Sequence, residues 1–174
     1  MGKITFILGG ARSGKSTHAV ILAKKHRKVA FIATCQPLDK EMRERIQLHK
    51  EARPKNWKTF EEPKDVEGSL RKIGNKFECV IIDCLTLLVS NLILDGYKKE
   101  EILKKIEAML IILRKKKAMV IMVSNEVGLG LVPANRLGRD FRDIAGKVNQ
   151  AAAKEADEVF FTVSGIPMKI KGGK

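Results

Sequence analysis

The chain carries Gly9-Gly10-Ala11-Arg12-Ser13-Gly14-Lys15-Ser16, and this stretch decides the fold. It matches the phosphate-loop pattern GxxxxGK[ST] at every fixed position. The apolar run before it, residues 3–8 (KITFIL), predicts a buried strand, and the apolar positions of residues 16–25 predict a helix. A strand before the loop and a helix after it are the context in which this pattern binds phosphate. They argue against the alternative, a glycine-rich turn that matches by chance.

The loop supplies the chemistry that the phosphates of a nucleotide need. Glycines let backbone N–H groups surround a phosphate, and the N-terminus of the following helix adds a positive dipole. Lys15 is predicted to reach the terminal phosphates as a catalytic residue, and Ser16 to ligate Mg²⁺. The sequence therefore predicts nucleotide binding by residues 9–16.

A carboxylate ends another apolar strand. Asp83 directly follows Cys79-Val80-Ile81-Ile82. Enzymes with this phosphate loop need a carboxylate at the end of a neighbouring strand to hold the hydration shell of Mg²⁺. We therefore predict Asp83 as the second metal residue beside Ser16. An ordinary strand-end aspartate that begins a turn remains the alternative.

Strands and helices alternate along the rest of the chain. Apolar runs predict strands at 28–34 and 118–124, and helical spacing predicts helices at 39–52, 99–116 and about 135–156. Residues 53–78 are polar and predicted to be irregular. Strands at 158–164 and 168–171, on either side of Gly165-Ile166-Pro167, predict a C-terminal hairpin.

This alternation predicts an α/β fold. We expect a P-loop NTPase-like three-layer fold, with a mainly parallel sheet, helices on both of its faces and a C-terminal β-hairpin. Residues 1–174 contain no internal repeat and no break in composition. A single nucleotide-binding domain is therefore expected.

Composition narrows the class of protein. The chain has 34 Lys and Arg against 20 Asp and Glu, a net charge of +14, but its lysines are dispersed and only 5% of its residues are aromatic. Because few aromatic rings are available to stack on bases, no nucleic-acid partner is expected. No apolar stretch is long enough for a transmembrane segment and no signal-peptide pattern is present, so a cytoplasmic protein is predicted. Cys35, Cys79 and Cys84 lack zinc-site spacing and are predicted to be reduced, mostly buried thiols.

His49 is the most notable titratable group. Helical spacing in residues 39–52 puts Met42, Ile46 and His49 on one face, with Arg45 and Arg53 four residues to either side of the histidine. Cations beside an imidazole favour its neutral form, which can attack phosphorus while the guanidinium groups hold phosphate oxygens. A partly buried helix histidine without a catalytic role remains the alternative.

Long ordered runs carry a resemblance that covers nearly the whole chain. They are GGARSGKS at 9–16, IAT at 32–34, EMRERIQLHKEARPKNWKTFEEP at 41–63, IIDCLTLLVSNL at 81–92, SNEVGLGLVPANRLGRDFRDIAGKVNQ at 124–150, and ADEV and SGIPMKIK towards the C-terminus. With these runs the sequence resembles the bifunctional adenosylcobinamide kinase/adenosylcobinamide-phosphate guanylyltransferase family of cobalamin biosynthesis.

The resemblance implies two reactions on one corrinoid. The first phosphorylates the aminopropanol hydroxyl of adenosylcobinamide with ATP or GTP. The second transfers GMP from GTP to that product, which releases pyrophosphate and gives adenosylcobinamide-GDP. In this family the histidine of an RIxxH-type segment carries GMP covalently, and the matching residue here is His49.

The resemblance also implies the remaining site residues and the assembly. Beyond the phosphate loop, it places Ala33, Thr34, Cys35, Lys50, Glu51, Ala52, Arg53, Glu61 and Asp83 at the nucleotide. Mg²⁺ is the expected cofactor, ATP and GTP are the expected nucleotide substrates, and a homo-oligomer, a trimer, is expected. Two alternatives remain: another small-molecule P-loop kinase that forms no covalent intermediate, and a nucleotide-gated protein that binds RNA or a partner.

Overall fold

The computed structural model describes residues 2–37, 39–51 and 53–173, without the side chains of residues 41 and 45. Its strands are β1 (Ile4–Gly9), β2 (Val29–Ala33), β3 (Lys58–Glu61), β4 (Cys79–Asp83), β5 (Met119–Asn125), β6 (Glu158–Val163) and β7 (Ile166–Lys171). Its helices are α1 (Lys15–Ala23), α2 (Lys40–Glu51), α3 (Val66–Ile73), α4 (Leu85–Leu94), α5 (Lys99–Lys115) and α6 (Arg136–Glu155).

The strands form one seven-stranded sheet in the order β3-β2-β4-β5-β1-β6-β7. All neighbouring pairs are parallel except the β6–β7 hairpin. The central strands are continuous apolar runs, as expected for strands that helices cover on both faces. Because these strands are parallel, their carboxyl ends meet along one edge of the sheet, where ligands of open α/β sheets commonly bind.

Two apolar clusters fill the space on the two faces of the sheet. On one face, Ile7, Phe31 and Ile81 pack with Ala19 and Ala23 of α1. On the other face, alternate residues of the same strands pack against α3, α4, α5 and α6. The predicted α/β class, the mainly parallel sheet and the helices on both faces are thus confirmed. No helix in the described parts of the chain is long and apolar enough to span a bilayer.

The prediction of irregular structure for 53–78 was wrong, because this segment contains β3 and α3. Strand β3 has only four residues and lies at the edge of the sheet, so it shows little apolar alternation. Helix α3 is only eight residues long and contains Gly68, yet it buries Val66, Leu70 and Ile73 at i, i+4 and i+7. Its N-cap is Asp65, which accepts a hydrogen bond from the N–H of Gly68 at 3.0 Å.

Helix α4 was also absent from the predicted elements. Its sequence LTLLVSNLIL is mostly apolar and has no polar face, because the helix is buried among the sheet, α5 and α6 and buries Thr86 and Asn91 with its apolar residues. Helix α2 ends at Glu51. Arg53, four residues after His49, therefore lies beyond the helix, whereas the helical spacing predicts it on the helix surface. The side chain of Arg45 lies outside the described residues.

The C-terminal hairpin is confirmed, with a tight two-residue turn. Ser164 and Gly165 have φ of 49° and 85°, the positive values that such turns require. Strand β7 begins at Ile166, earlier than the predicted Met168. Pro167 is tolerated inside it because β7 is an edge strand.

A buried lysine joins two helices on the far side of the sheet from α1. Lys116, which follows α5, donates hydrogen bonds through Nζ to the carbonyl oxygens of Leu70 at 3.1 Å and Gly74 at 2.6 Å. These are carbonyls at the end of α3, where cations stabilise a helix. Burial lowers the pKa of Lys116. The lysine thus caps α3 and ties it to α5.

Candidate active site

A cavity of about 490 Å³ opens at the carboxyl edge of the sheet. The phosphate loop forms one side, the ends of β2 to β5 form the floor, and α2 forms the opposite wall. The lining residues are Ala11, Arg12, Ser13, Gly14, Lys15, Ser16, Thr17, Ala33, Cys35, Pro37, Met42, Arg43, Ile46, Gln47, His49, Lys50, Arg53, Glu61, Asp83, Cys84, Leu87 and Asn125.

The ammonium group of Lys15 is buried inside the phosphate loop. Its Nζ donates to the carbonyl oxygen of Gly10 and lies 3.5 Å from Oγ of Ser13. Burial lowers the pKa of Lys15, and the nearby carboxylate of Asp83 opposes this shift. A phosphate anion bound in the loop would stabilise the buried ammonium group of Lys15, because it would supply the opposite charge that water supplies to an exposed lysine.

The hairpin turn supports the phosphate loop from behind. The N–H of Gly165 donates to the carbonyl oxygen of Ser13 at 2.9 Å. Gly14 has φ of +94°, and a Cβ there would lie 3.1 Å from Cα of Gly165. A Cβ on Gly9 would lie 2.4 Å from the carbonyl oxygen of Thr162. Both glycines are therefore required by the close approach of loop and hairpin.

Thr34 fixes the floor of the cavity. Its N–H donates to the carbonyl oxygen of Asp83 at 3.0 Å. Its Oγ1 donates to the carbonyl oxygen of Cys84 and accepts from the N–H of the same residue, both at 2.7 Å. Asn91 donates to the carbonyl oxygen of Thr34 at 2.8 Å. These bonds hold the ends of β2 and β4 together and leave the side chain of Asp83 directed to the cavity.

Helix α2 turns the predicted face towards the phosphate loop. Met42, Ile46 and His49 all line the cavity, as their i, i+4 and i+7 spacing indicates. Lys50 forms an ion pair with Glu61 at the end of β3. The cavity thus brings the imidazole of His49 into the same space as Lys15 and Asp83.

The guanidinium group of Arg53, which lines the cavity, stacks on an aromatic ring. Its guanidinium carbon lies 3.6 Å from the centre of the Phe31 ring, and its Nη1 lies 3.4 Å from Oγ1 of Thr59. Burial lowers the pKa of Arg53, while Asp83 and Glu61 raise it. A planar cation fixed on an aromatic ring is suited to hold phosphate oxygens.

Most of the predicted site residues come together in this cavity, and a few do not line it. Gly9 and Gly10 belong to the phosphate loop but do not line the cavity, and the carbonyl oxygen of Gly10 accepts a hydrogen bond from Nζ of Lys15. Thr34 is fully buried in the clamp under the floor. Glu51 is exposed on α2 and accepts from Gln47 at 2.7 Å. Ala52 lies outside the described residues.

Sequence reasoning missed several lining residues. Arg43 and Gln47 lie on the turns of α2 that carry His49, and Leu87 follows Cys84 at the start of α4. Asn125 is the polar residue that ends the apolar strand β5, the same signal that identified Asp83. Applied to every strand, that signal would have found Asn125.

The fold is similar to those of two solved structures. The RadB recombinase gives a TM-score of 0.53 at 16% identity, over 92% of this chain and 74% of that one. A prototypical ATPase from the type III secretion system of pathogenic bacteria gives 0.59 at 11% identity, over 92% of this chain and 51% of that one. At these identities the likeness concerns the fold, and it agrees with the predicted P-loop NTPase-like class.

Sequence relatives cover nearly the full chain. The bifunctional adenosylcobalamin biosynthesis protein CobU is 42% identical over 95% of this chain, both in Escherichia coli and in Salmonella typhimurium, and 98% of each relative is covered. The corresponding CobP protein of Pseudomonas aeruginosa is 44% identical over 95% of this chain and 96% of its own length. The model of the CobU family, described as cobinamide kinase / cobinamide phosphate guanyltransferase, matches residues 5–170. The chain therefore belongs to this family of bifunctional enzymes.

Proposed function

We propose that the chain phosphorylates adenosylcobinamide with ATP or GTP and then transfers GMP from GTP to the product through a guanylyl group on His49. The observation that carries the proposal is that His49 and the phosphate loop line one cavity of about 490 Å³. The two reactions are those of the family to which the chain belongs. The shared cavity supports the proposal that both take place at one nucleotide site.

In the kinase step, the phosphate loop holds the nucleotide and Lys15 follows the transferring phosphoryl group. The aminopropanol hydroxyl oxygen forms a bond to the γ-phosphorus, the bond between that phosphorus and the β-bridging oxygen breaks, and its electron pair leaves with the nucleoside diphosphate. The hydroxyl proton passes to water. Lys15 stabilises the charge that develops during this transfer.

Ser16 and Asp83 fit a Mg²⁺ ion. Both line the cavity, and they offer one hydroxyl and one carboxylate oxygen. Within the described residues no group of three or more His, Cys, Asp or Glu side chains could hold a metal. Mg²⁺ commonly takes one or two protein oxygens and completes its shell with phosphate and water. The bound ion would neutralise charge on the phosphate oxygens.

In the transfer step, an imidazole nitrogen of His49 attacks the α-phosphorus of GTP. The bond to the β-phosphate breaks and pyrophosphate leaves with the electron pair. A phosphate oxygen of adenosylcobinamide phosphate then attacks the same phosphorus, and the phosphorus–nitrogen bond returns its electron pair to His49. Arg53, Lys50 and the phosphate loop are placed to hold the oxygens during both displacements.

The remaining predicted residues take supporting roles in this proposal. Ala33, Cys35 and Glu61 line the cavity at the ends of β2 and β3, where they border the nucleotide. Thr34 positions Asp83 from below.

Incubation with α-³²P-GTP followed by denaturing electrophoresis tests the covalent step. Wild type should retain label that acid releases and alkali does not, as expected for a phosphorus–nitrogen bond. His49→Ala should retain none and should form no adenosylcobinamide-GDP. Acid-labile label on His49→Ala, or formation of adenosylcobinamide-GDP at full rate by a wild type that never labels, would exclude His49 as the carrier.

The other histidines provide matched controls. His18 packs against the ring of Phe160, with centroids 5.0 Å apart. Nε2 of His26 lies 3.3 Å from Sδ of Met119, at the opposite edge of the sheet. Alanine at either position should leave labelling intact. Loss of both kinase and transferase activity in a folded His49→Ala would show that the two reactions share one nucleotide site.

We also propose a homo-oligomer, a trimer, in the cytoplasm. The hairpin exposes an apolar strip, defined as Val163, Ile166, Met168 and Ile170, in which Ile166 is 66% and Ile170 61% exposed. Val163 pairs with Ile166, so these residues share one face of the sheet edge. Burial of such a strip between copies would stabilise an assembly. Light scattering should give the mass of three chains for wild type and a lower mass for Ile166→Lys/Ile170→Lys. A single-chain mass for wild type would contradict the proposal.

A further inference from the structure

Asn125 occupies the position between the phosphate loop and the strand that ends in Asp83. It is the last residue of β5, which lies between β4 and β1 in the sheet. In the register of the sheet, Asn125 pairs with Gly9, and Asp83 pairs with Val123. Because residues two apart on a strand share a face, Asn125 lies on the same face of the sheet as Asp83, one strand over. It also lines the cavity.

A buried polar network fixes the backbone of Asn125. Its N–H donates to Oγ1 of Thr86 at 2.6 Å, and its carbonyl oxygen accepts from Nδ2 of Asn149 at 3.1 Å. Oγ1 of Thr86 is also 2.9 Å from Oγ of Ser124. Thr86, Ser124 and Asn149 are all buried. Three buried polar side chains, from α4, β5 and α6, thus position the end of β5. Burying polar groups costs desolvation free energy, which apolar packing at the same place would not.

The side-chain amide of Asn125 is left for the cavity. Within the described part of the chain, this amide makes no hydrogen bond, whereas both backbone groups of the residue are engaged. The amide is neutral, so it adds no like charge beside the carboxylate of Asp83 and can donate to an anion. An aspartate at the same place would repel phosphate.

We infer that Asn125 is a catalytic residue of the kinase step, and that its NH₂ group donates a hydrogen bond to a γ-phosphate oxygen as the phosphoryl group is transferred. The inference rests on the proposed function and adds a group that the motif-based set of residues does not contain. The bonds that form and break are those of the kinase step above. Asn125 forms no covalent bond, and it stabilises the negative charge on the transferring group from the end of β5.

Steady-state kinetics of three variants test the assignment, with adenosylcobinamide and ATP as substrates. Asn125→Ala should lower kcat of the kinase step about 10²-fold, the usual effect of removing one preorganised donor. Its Kd for a non-hydrolysable ATP analogue should stay within threefold of wild type, because the loop still holds the phosphates. Asn125→Asp, which is isosteric, should lower kcat further. Asn75→Asp is the charge-matched control on the exposed turn after α3 and should match wild type.

Two results would overturn the inference. One is a kinase kcat for Asn125→Ala within twofold of wild type. The other is an increase in Kd that accounts for the whole loss, which would make Asn125 a ground-state contact. If Asn125→Ala is poorly folded, the isosteric Asn125→Asp decides by the same criteria. Failure of the proposed function itself is separate, since wild type and Asn75→Asp would then phosphorylate no adenosylcobinamide.

Discussion

The N–H group of Gly165 donates a hydrogen bond to the carbonyl oxygen of Ser13 at 2.9 Å. Gly165 lies in the turn of the C-terminal hairpin, and Ser13 lies in the phosphate loop. The bond fixes one carbonyl on the outside of the loop, so that neighbouring N–H groups can face inwards. The conformation of the phosphate loop therefore depends on a hairpin at the other end of the sequence.

Gly14→Ala should displace the loop from the hairpin. The new Cβ would lie 3.1 Å from Cα of Gly165, and φ of +94° is unfavourable for alanine. We expect at least a tenfold loss of nucleotide affinity by calorimetry and a free energy of unfolding lower by about 1–2 kcal/mol. Gly146→Ala in α6 is the control, because nothing lies within 4 Å of its Cβ. The control should be about 0.5–1 kcal/mol more stable than wild type. Unchanged affinity in Gly14→Ala would contradict the role of this contact.

Lys15→Ala should abolish kinase turnover while the fold persists. The substitution removes a buried charge beside the transferring phosphate. Removing such an electrostatic group from an enzyme site usually lowers kcat by roughly 10²-fold or more. The thermal midpoint should not fall, because the charge is desolvated in the absence of an anion. Lys24→Ala, at the exposed end of α1, is the matched control. Near-normal turnover by Lys15→Ala would refute the assignment of the loop.

Asp83→Asn should raise the Mg²⁺ concentration needed for half-maximal activity. The backbone of Asp83, not its carboxylate, bonds to Thr34, so the substitution should leave folding unchanged. Asp143→Asn, on the exposed side of α6, is the control for a lost negative charge. If Asp83→Asn keeps the Mg²⁺ dependence of wild type, another carboxylate holds the metal. Glu61 is then the next residue to test, because it lines the cavity.

Native-state thiol chemistry should separate the three cysteines. Burial raises the pKa of the Cys79 and Cys84 thiols to about 12, so each is almost fully protonated at pH 8. We expect Ellman's reagent to modify these two only as fast as the protein unfolds, and the half-buried Cys35 first. Peptide mapping after alkylation identifies the modified residue. Rapid modification of Cys84 in the folded protein would show that the floor of the cavity opens.

Lys116→Met should destabilise the protein without affecting catalysis. The carbonyl oxygens of Leu70 and Gly74 would lose their donor while remaining at least partly buried. The expected cost is about 1–3 kcal/mol in the free energy of unfolding, measured by urea titration. Lys117→Met removes an exposed charge at the next position and should cost far less. Equal stability of the two variants would mean that water replaces the lysine.

The parts of the fold that the sequence predicts are those with long, uniform patterns. Strand β4 was predicted with its observed bounds because CVIID is an unbroken apolar run that ends in a carboxylate. Helix α4 and strand β3 were missed for opposite reasons. The buried helix has no polar face to create a period, and the short edge strand has too few residues to show alternation.

The site follows the same logic. Lys15, Ser16 and Asp83 belong to patterns fixed by local backbone geometry, and they lie together in the cavity. Thr34 and Asn125 form hydrogen bonds with residues far away in sequence, such as Cys84 and Asn149, so no local pattern could reveal those bonds, although the polar end of β5 marks Asn125 itself as a candidate.

The strand order has a consequence for synthesis on the ribosome. Strand β1 is made first, but its two neighbours in the sheet, β5 and β6, are made late. At about 5–20 residues per second, the nascent β1 waits on the order of ten seconds for partners. During this time Ile4, Phe6 and Ile7, which are buried in the finished fold, lack the two strands that pair with β1. Holdase chaperones that recognise short apolar strands should therefore bind the emerging N-terminal segment and release it once residues 119–163 have been made.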